Sequence, residues 1–324
     1  MDLKNKRVLV TGARGFVGQH LMQALDKHGV EDIIAPPRQI YDLRLRRSVK
    51  ALFLQFRPQV VFHLAAICGG IGANREQPAK FFYDNLKMGM EVMDEAYETG
   101  VEKFVQVGSV CSYPKYTPVP FKESDLWNGY PEETNAPYGI AKKALLTMSQ
   151  AYRQQYGFNS IYLIPVNLYG PGGDNFHLNT SHVIPALIRQ MVSAKKSGTD
   201  ITLWGTGAAS REFLYVDDCA RGLIQAAERY DGIEPVNLGV GEEITIRDLA
   251  TVIARLVGYE GKINYDPSKP DGQPRRCLDT SRAEDLFGFK ATTTLEEGLK
   301  ATIENYILEE GLKDMIGGFT RENG

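Results

Sequence analysis

Short apolar runs alternating with amphipathic helical stretches predict an α/β protein: a Rossmann-type, doubly wound parallel sheet joined to a smaller, discontinuous α/β lobe. Two observations carry this. RVLVT at 7–11 reads as a fully buried strand and runs straight into TGARGFVG and an amphipathic helix ending near Lys27. The strand-then-helix order then repeats as far as residue 166.

Taken in order, IIAP (33–36) is strand-like, a helix covers about 47–55, and VVFHLAA (60–66) is another buried strand. A helix follows over about 77–99, then the strand FVQVGSV (104–110), a helix over about 137–156 and the strand SIYLIPV (160–166). After Asn167 the texture changes. LYGPGGDNFHLNTSH is loop-like, VIPALIRQMVSA helical, ITLWG (201–205) a short strand, and REFLYVDDCARGLIQAAE a strand and helix returning to the main sheet. VNLG (236–239), a helix over 246–257, KINYD (262–266) and two final helices complete the chain. The expected division is 1–168 with about 212–238 in the Rossmann domain, and 169–211 with 239–324 in the second lobe.

The 324 residues suffice for one large domain or two coupled ones. A net charge of −3 without a long basic run argues against nucleic acid as main partner. No apolar stretch is long enough to span a bilayer, and MDLKNKRVLV lacks the apolar region of a secretory signal, so a cytoplasmic location is expected. Cys68, Cys111, Cys219 and Cys277 form no C-x-x-C pair, so neither a metal site nor a disulfide framework is expected.

Gly12-x-x-Gly15-x-x-Gly18 follows a strand and opens a helix, where glycines allow a pyrophosphate to approach the helix N-terminus; Phe16 lies in the same turn. At the end of the second strand an acidic residue would accept the 2′-hydroxyl of NAD. Here stand Pro36-Pro37-Arg38, with Arg14 in the first loop, and two guanidinium groups suit a 2′-phosphate. The expected cofactor is therefore NADP(H), with Asp42 and Leu43 beside its adenine.

Tyr138 and Lys142 in YGIAK share one helix face. There an ammonium favours the phenolate and makes the tyrosine an acid/base near neutral pH. Ser109, at a strand end, can hold a carbonyl oxygen beside it. Both residues also belong to the cofactor site. Cys111 is a separate proton-transfer candidate, and His182 and His177 compete for a second. Arg211 and Glu212 read either as a structural ion pair or as Arg211 binding a diphosphate, and Arg189, Arg275 and Arg276 pose the same choice.

With TGARGFVG, the strand-end Ser and YxxxK, the chain resembles the extended short-chain dehydrogenase/reductases. AAICGGIGAN (65–74), GSVCSYPK (108–115), ETNAPYGIAKKA (133–144), NLYGPGGDNFHLNTSHVIPALI (167–188), WGTGAASREFLYVDD (204–218) and SKPDGQPRRCLDTSR (268–282) resemble, in order and spacing, the GDP-L-fucose synthase family. That resemblance implies a GDP-linked 4-keto-6-deoxyhexose substrate, epimerised at C3 and C5 and reduced at C4 with NADPH. A GDP-keto-heptose or GDP-dideoxyhexose is the alternative substrate, and a non-catalytic NADP(H) sensor the alternative class. It places the catalytic Ser, Tyr and Lys on Ser109, Tyr138 and Lys142. Its epimerising Cys and His fall on Cys111 and His182, not His177. Substrate contacts fall on Asn167, Arg189, Trp204, Arg211, Asp271 and Arg276. A homodimer through the helices near 77–99 and 137–156 is also implied. The chain departs from the family's usual pattern at Ile67-Cys68 (usually Lys-Val), Val110 (Ser), Gln190 (a basic residue) and Arg276 (often Lys).

Overall fold

In the computed structural model, which describes residues 1–172, 182–269 and 271–312, the first half alternates strand and helix. The elements are β1 (Arg7–Thr11), α1 (Phe16–His28), β2 (Asp32–Ile34), α2 (Arg46–Phe56), β3 (Val60–His63), α3 (Ile71–Glu76), α4 (Pro78–Glu98), β4 (Lys103–Val107), α5 (Ala136–Tyr156) and β5 (Ser160–Pro165). The second half comprises β6 (Asn167–Tyr169), α6 (Val183–Ser197), β7 (Ile201–Trp204), β8 (Ser210–Arg211), β9 (Phe213–Tyr215), α7 (Val216–Arg229), β10 (Val236–Leu238), β11 (Ile244–Thr245), α8 (Ile246–Val257), β12 (Ile263–Asp266), α9 (Ser281–Phe287) and α10 (Leu295–Glu309).

Six strands form one parallel sheet in the order β10-β5-β4-β3-β1-β2. Its strands are apolar on both faces because helices cover both. Val8, Val10, Phe62 and Val105 pack on one side with Leu21 and Leu25 of α1 and Leu223 of α7. Leu9, Val61 and Phe104 pack on the other with Leu52 and Phe53 of α2 and Val92 and Met93 of α4. A separate core gathers Ile184, Leu187 and Ile188 of α6, Leu249 and Ile253 of α8, and Leu299 and Ile303 of α10. Around it lie short two-stranded pairings, β12 with β7 and β11 with β8.

Three local expectations need correcting. The strand in REFLY does not rejoin the main sheet: β9 pairs with β6, and the segment returns to the sheet only through α7 and β10. β2 is just three residues long and stops at Ile34, before the proline pair. β4 ends at Val107, so Ser109 and Cys111 lie beyond it. Ser109 caps a 3₁₀ turn over Val110–Ser112 by accepting the Cys111 N–H at 3.2 Å. His177 lies outside the described residues.

His20 of α1 ties three segments together. Its Nδ1 meets the Asp217 carboxylate at the start of α7, and its Nε2 meets the Pro171 carbonyl at 2.9 Å. Both partners can only accept, so both ring nitrogens donate and the ring is an imidazolium. Burial alone would lower its pKa, but the bonds to Asp217 and Pro171 and the Asp217 charge raise it above 6.5. The stabilisation is therefore complete below 6.5 and is lost as pH rises through the folded-state value. In urea titrations, His20→Gln should lose on the order of 1 kcal/mol at pH 6. The gap from the parent should narrow as pH rises through the folded-state value; a gap that does not change with pH would exclude a charged ring.

Candidate active site

The glycine turn is built for close approach. Gly12 has φ +74°, and a Cβ there would lie 2.8 Å from the Ala65 nitrogen. A Cβ at Gly18 would strike the Gly12 carbonyl oxygen. Gly15 caps α1 without a side-chain bond, which leaves its first N–H groups available to an anion. Beneath the turn, the Thr11 hydroxyl lies 2.9 Å from His63 Nδ1 and accepts the Ala65 N–H at 3.2 Å, coupling the ends of β1 and β3. Burial, aided by the nearby Lys142 charge, pushes His63 down to about 3, so its ring is neutral.

Arg14, within this turn, and Arg38, whose charge acts on Asp42, are both exposed. Asp42 is gripped by Arg44, with Nε to Oδ1 at 2.9 Å and Nη2 to Oδ2 at 2.7 Å. That bond chiefly lowers its carboxyl to about 2, with smaller help from the Arg38 charge. Arg44 escaped the sequence reading; its signal was Asp-Leu-Arg, in which the carboxylate also accepts the Arg44 N–H. Leu43 sits in the core between sheet and helices rather than on the surface. With its nearest carboxylate neutralised, this corner suits a phosphorylated ribose, so the residues present fit NADP(H).

Ser109, Cys111, Tyr138 and Lys142 converge at the carboxyl end of β4 and the start of α5. Gly139 makes this possible: any Cβ there would collide with the Cys111 carbonyl oxygen. Ser112 Oγ donates to the Gly139 carbonyl at 3.1 Å and seals the contact. Lys142, 2% exposed, donates to the Val107 carbonyl at 2.9 Å and stands 5.8 Å from the Tyr138 ring centroid. The expected lowering of Tyr138 by this ammonium is not found. Burial raises the tyrosine, and Cys68 and Cys111 nearby add to the rise, while burial also lowers Lys142. Desolvation outweighs an ammonium that is already held by a carbonyl, so Tyr138 rests protonated.

Two arginines from the second half of the chain supply cations. Arg276, 8% exposed, reaches Asn167 Oδ1 at 3.3 Å, Gln273 Oε1 at 2.9 Å and Cys111 Sγ at 4.0 Å. Arg211 donates to the carbonyls of Ser210 at 2.7 Å and Asp271 at 3.3 Å. Burial first, then the Arg276 charge, bring Arg211 down to about 10. No ion pair forms between Arg211 and Glu212, which point apart; Arg275 instead pairs with Glu243. His182 caps α6 and is exposed. Crowding by protein on its other sides, then the Arg276 charge, lower its pKa and favour the neutral ring. Arg276 is thus a common neighbour of Cys111 and His182.

The outer candidates are more scattered. Asp271 accepts the Thr206 N–H and hydroxyl, both at 2.8 Å, and so serves first as a loop clamp. Trp204 is 70% exposed, with the Lys269 ammonium 5.8 Å from its ring centroid. Arg189 lies on α6, where its charge acts on Tyr306 of α10. Two contributors were missed: Gln273, which holds Arg276, and Cys68, whose exposed sulfur lies 3.5 Å from the Tyr138 hydroxyl.

Comparisons with known proteins place the chain in a family. The model of the NAD dependent epimerase/dehydratase family matches residues 8–239. The chain is 42% identical over 308 residues to GDP-L-fucose synthase 1 of Arabidopsis thaliana, covering 95% of each. A solved GDP-L-fucose synthetase from Naegleria fowleri bound to NADP has a TM-score of 0.85 and 29% identity, covering 95% of both chains. A GDP-6-OMe-4-keto-L-xylo-heptose reductase from C. jejuni has a TM-score of 0.90 and 29% identity, covering 94% of this chain and 99% of that one.

Gly139→Ala should push α5 off the Cys111 turn and destabilise the fold by about 1–3 kcal/mol. Thermal unfolding checks this. A variant as stable as the parent would mean the turn yields freely.

Proposed function

We infer the reaction from the family: the chain belongs to the NAD dependent epimerase/dehydratase family, and within it to the GDP-L-fucose synthases. It is an epimerase/reductase that inverts C3 and C5 of GDP-4-keto-6-deoxy-D-mannose and then reduces the C4 ketone with NADPH, giving GDP-L-fucose. The observation that carries this reading is the gathering of Ser109, Cys111 and Tyr138 opposite Arg276 and His182. It supplies carbonyl donors and two separate proton-transfer groups in one cleft.

NADP(H) is the cofactor, held by Gly12, Arg14, Gly15, Phe16 and Gly18 at the turn and by Arg38, with Asp42 at the adenine side, while the core residue Leu43 only backs that corner. Lys142 and Tyr138 hold its ribose end. Bound NADPH supplies the hydride for C4.

The residues divide the remaining work. Hydrogens at C3 and C5 are acidic only because the C4 oxygen can take enolate charge, and Ser109 and Tyr138 donate hydrogen bonds to that oxygen. Cys111 takes the proton from one face of the sugar, and His182 returns one to the other. Because burial and Arg276 disfavour the imidazolium, a protonated His182 is a strong acid toward an enolate carbon. In the reduction, Tyr138 gives its proton to the C4 oxygen, which its protonated resting state suits. Arg211 and Arg276 receive the diphosphate, with Asn167, Arg189, Trp204 and Asp271 completing the substrate wall.

The substrate-binding lobe is assigned to residues 169–211 and 239–324, although Leu278, Ala283, Phe287 and Phe289 within that range pack into the parallel-sheet core. The working unit is a homodimer through α4 and α5, whose surfaces expose Tyr83, Met90 and Tyr156. No helix among the described residues is long and apolar enough to cross a membrane, and the cytoplasm is the proposed location. The likeness to the heptose reductase keeps a GDP-keto-heptose as the second substrate to test.

The test is incubation with GDP-4-keto-6-deoxy-D-mannose in D₂O, with and without NADPH, followed by NMR. Deuterium should enter C3 and C5 without NADPH, and GDP-L-fucose should form with it. NADPH oxidation without exchange would mean a simple 4-reductase. Cys111→Ser should lower exchange by about 10²–10⁴-fold and leave NADPH binding intact. Tyr138→Phe should depress reduction most. Equal loss of both steps in both variants would refute the division of roles.

A further inference from the structure

The hydroxyl expected to protonate the ketone oxygen has an unexpected resting partner. Tyr138 Oη lies 3.5 Å from Cys68 Sγ, within hydrogen-bond reach for sulfur. Lys142 Nζ is engaged by the Val107 carbonyl and Ser109 Oγ by the Cys111 N–H. We propose that Cys68 is a positioning residue for the reduction step, holding the Tyr138 hydroxyl toward the cleft until a ketone oxygen takes its place. The inference rests on the reaction proposed above.

The thiol is fixed by backbone. Asn85, 2% exposed, accepts the Ile67 N–H at 2.8 Å and donates to the Ile67 carbonyl at 3.0 Å. On the other side, Asn74 donates to the carbonyls of Gly69 at 2.8 Å and Gly70 at 3.0 Å. Cys68 stands between these two amide clamps. A sulfur partner is weak, so an incoming carbonyl oxygen displaces it at little cost, whereas a carboxylate or amide would compete with substrate. The charged and titratable groups facing the pair are Lys142 of α5, Cys111 of the turn after β4 and Tyr162 of β5.

Two measurements test this. The first needs no substrate: Cys68 is alkylated with N-ethylmaleimide and followed by mass spectrometry, with buried Cys219 as the unlabelled control. Its rate should change at least about threefold in Tyr138→Phe. An identical rate would show that the contact does not exist. The second compares Cys68→Val, which fills the space, with Cys68→Ser, which keeps a hydrogen-bonding group. The valine variant should lose roughly three- to tenfold in kcat for NADPH oxidation, a fraction of a full general acid's contribution. Its alkaline limb should move to lower pH, and exchange at C3 and C5, where Ser109 also holds the C4 oxygen, should fall less than reduction does. The serine variant should recover most of the lost rate. Parent-like reduction and pH profile in Cys68→Val would overturn the proposal. A parent enzyme that neither exchanges nor oxidises NADPH would sink the reaction itself, while the labelling rates would still decide the contact.

Discussion

The carboxylate of Glu212, fully buried, joins the parallel sheet to the cation-bearing side of the cleft. One oxygen accepts the N–H groups of Val240 and Gly241, just after β10, and the other accepts the Leu278 N–H at 2.6 Å. Its own amide donates to the Arg276 carbonyl at 2.9 Å, and its carbonyl accepts from Asn167 at 2.8 Å. Burial raises its pKa to about 7, against three backbone bonds that pull it down. A buried carboxylate is costly unless satisfied, and here the three N–H donors offset part of the cost. Without the carboxylate each of those donors would be stranded at about 1–3 kcal/mol. Arg211, Asn167 and Arg276 hold their places relative to β10 because of this tie.

The parallel sheet was legible because its central strands are buried on both faces and the connecting helices carry apolar stripes. The Ser109, Tyr138 and Lys142 grouping was legible too, since it depends on helix spacing and on a strand end. What escaped was set by contacts distant in sequence. REFLY has the composition of a sheet strand, yet its partner is β6, and pairing choice leaves no mark on composition. Arg211 beside Glu212 reads as an ion pair, but neighbours in an extended segment point to opposite sides, and apart from the Ser210 carbonyl the partners named above lie 28 to 66 residues away. Gly139 inside YGIAK and Cys68 before the glycine pair acquire meaning only once α5 is laid against the Cys111 turn.

The electrostatics of the cleft differ from the simple picture of a lysine activating a tyrosine. Lys142 and Tyr138 are both pushed toward their neutral forms by burial. Arg211 and Arg276 hold the positive charge instead, on the side where a diphosphate would lie. Each acts on the other, so their mutual repulsion is relieved when an anion binds between them. Substrate binding and proton chemistry are thereby linked through Arg276, whose guanidinium also touches the Cys111 sulfur and depresses His182.

This arrangement separates the two half-reactions by where their residues originate. Ser109, Tyr138 and Lys142 all stand on the parallel-sheet framework, between β4 and α5, so the reducing group is complete without the second core. In the proposed reaction, proton transfer at C3 and C5 would draw on Cys111 from that framework and His182 at the start of α6, a helix that packs into the second core. Any shift between the two cores would move His182 against Cys111 and leave Tyr138 and Lys142 in register. Epimerisation is therefore the step that depends on how the cores are joined, which is the task that Glu212 and Arg276 perform.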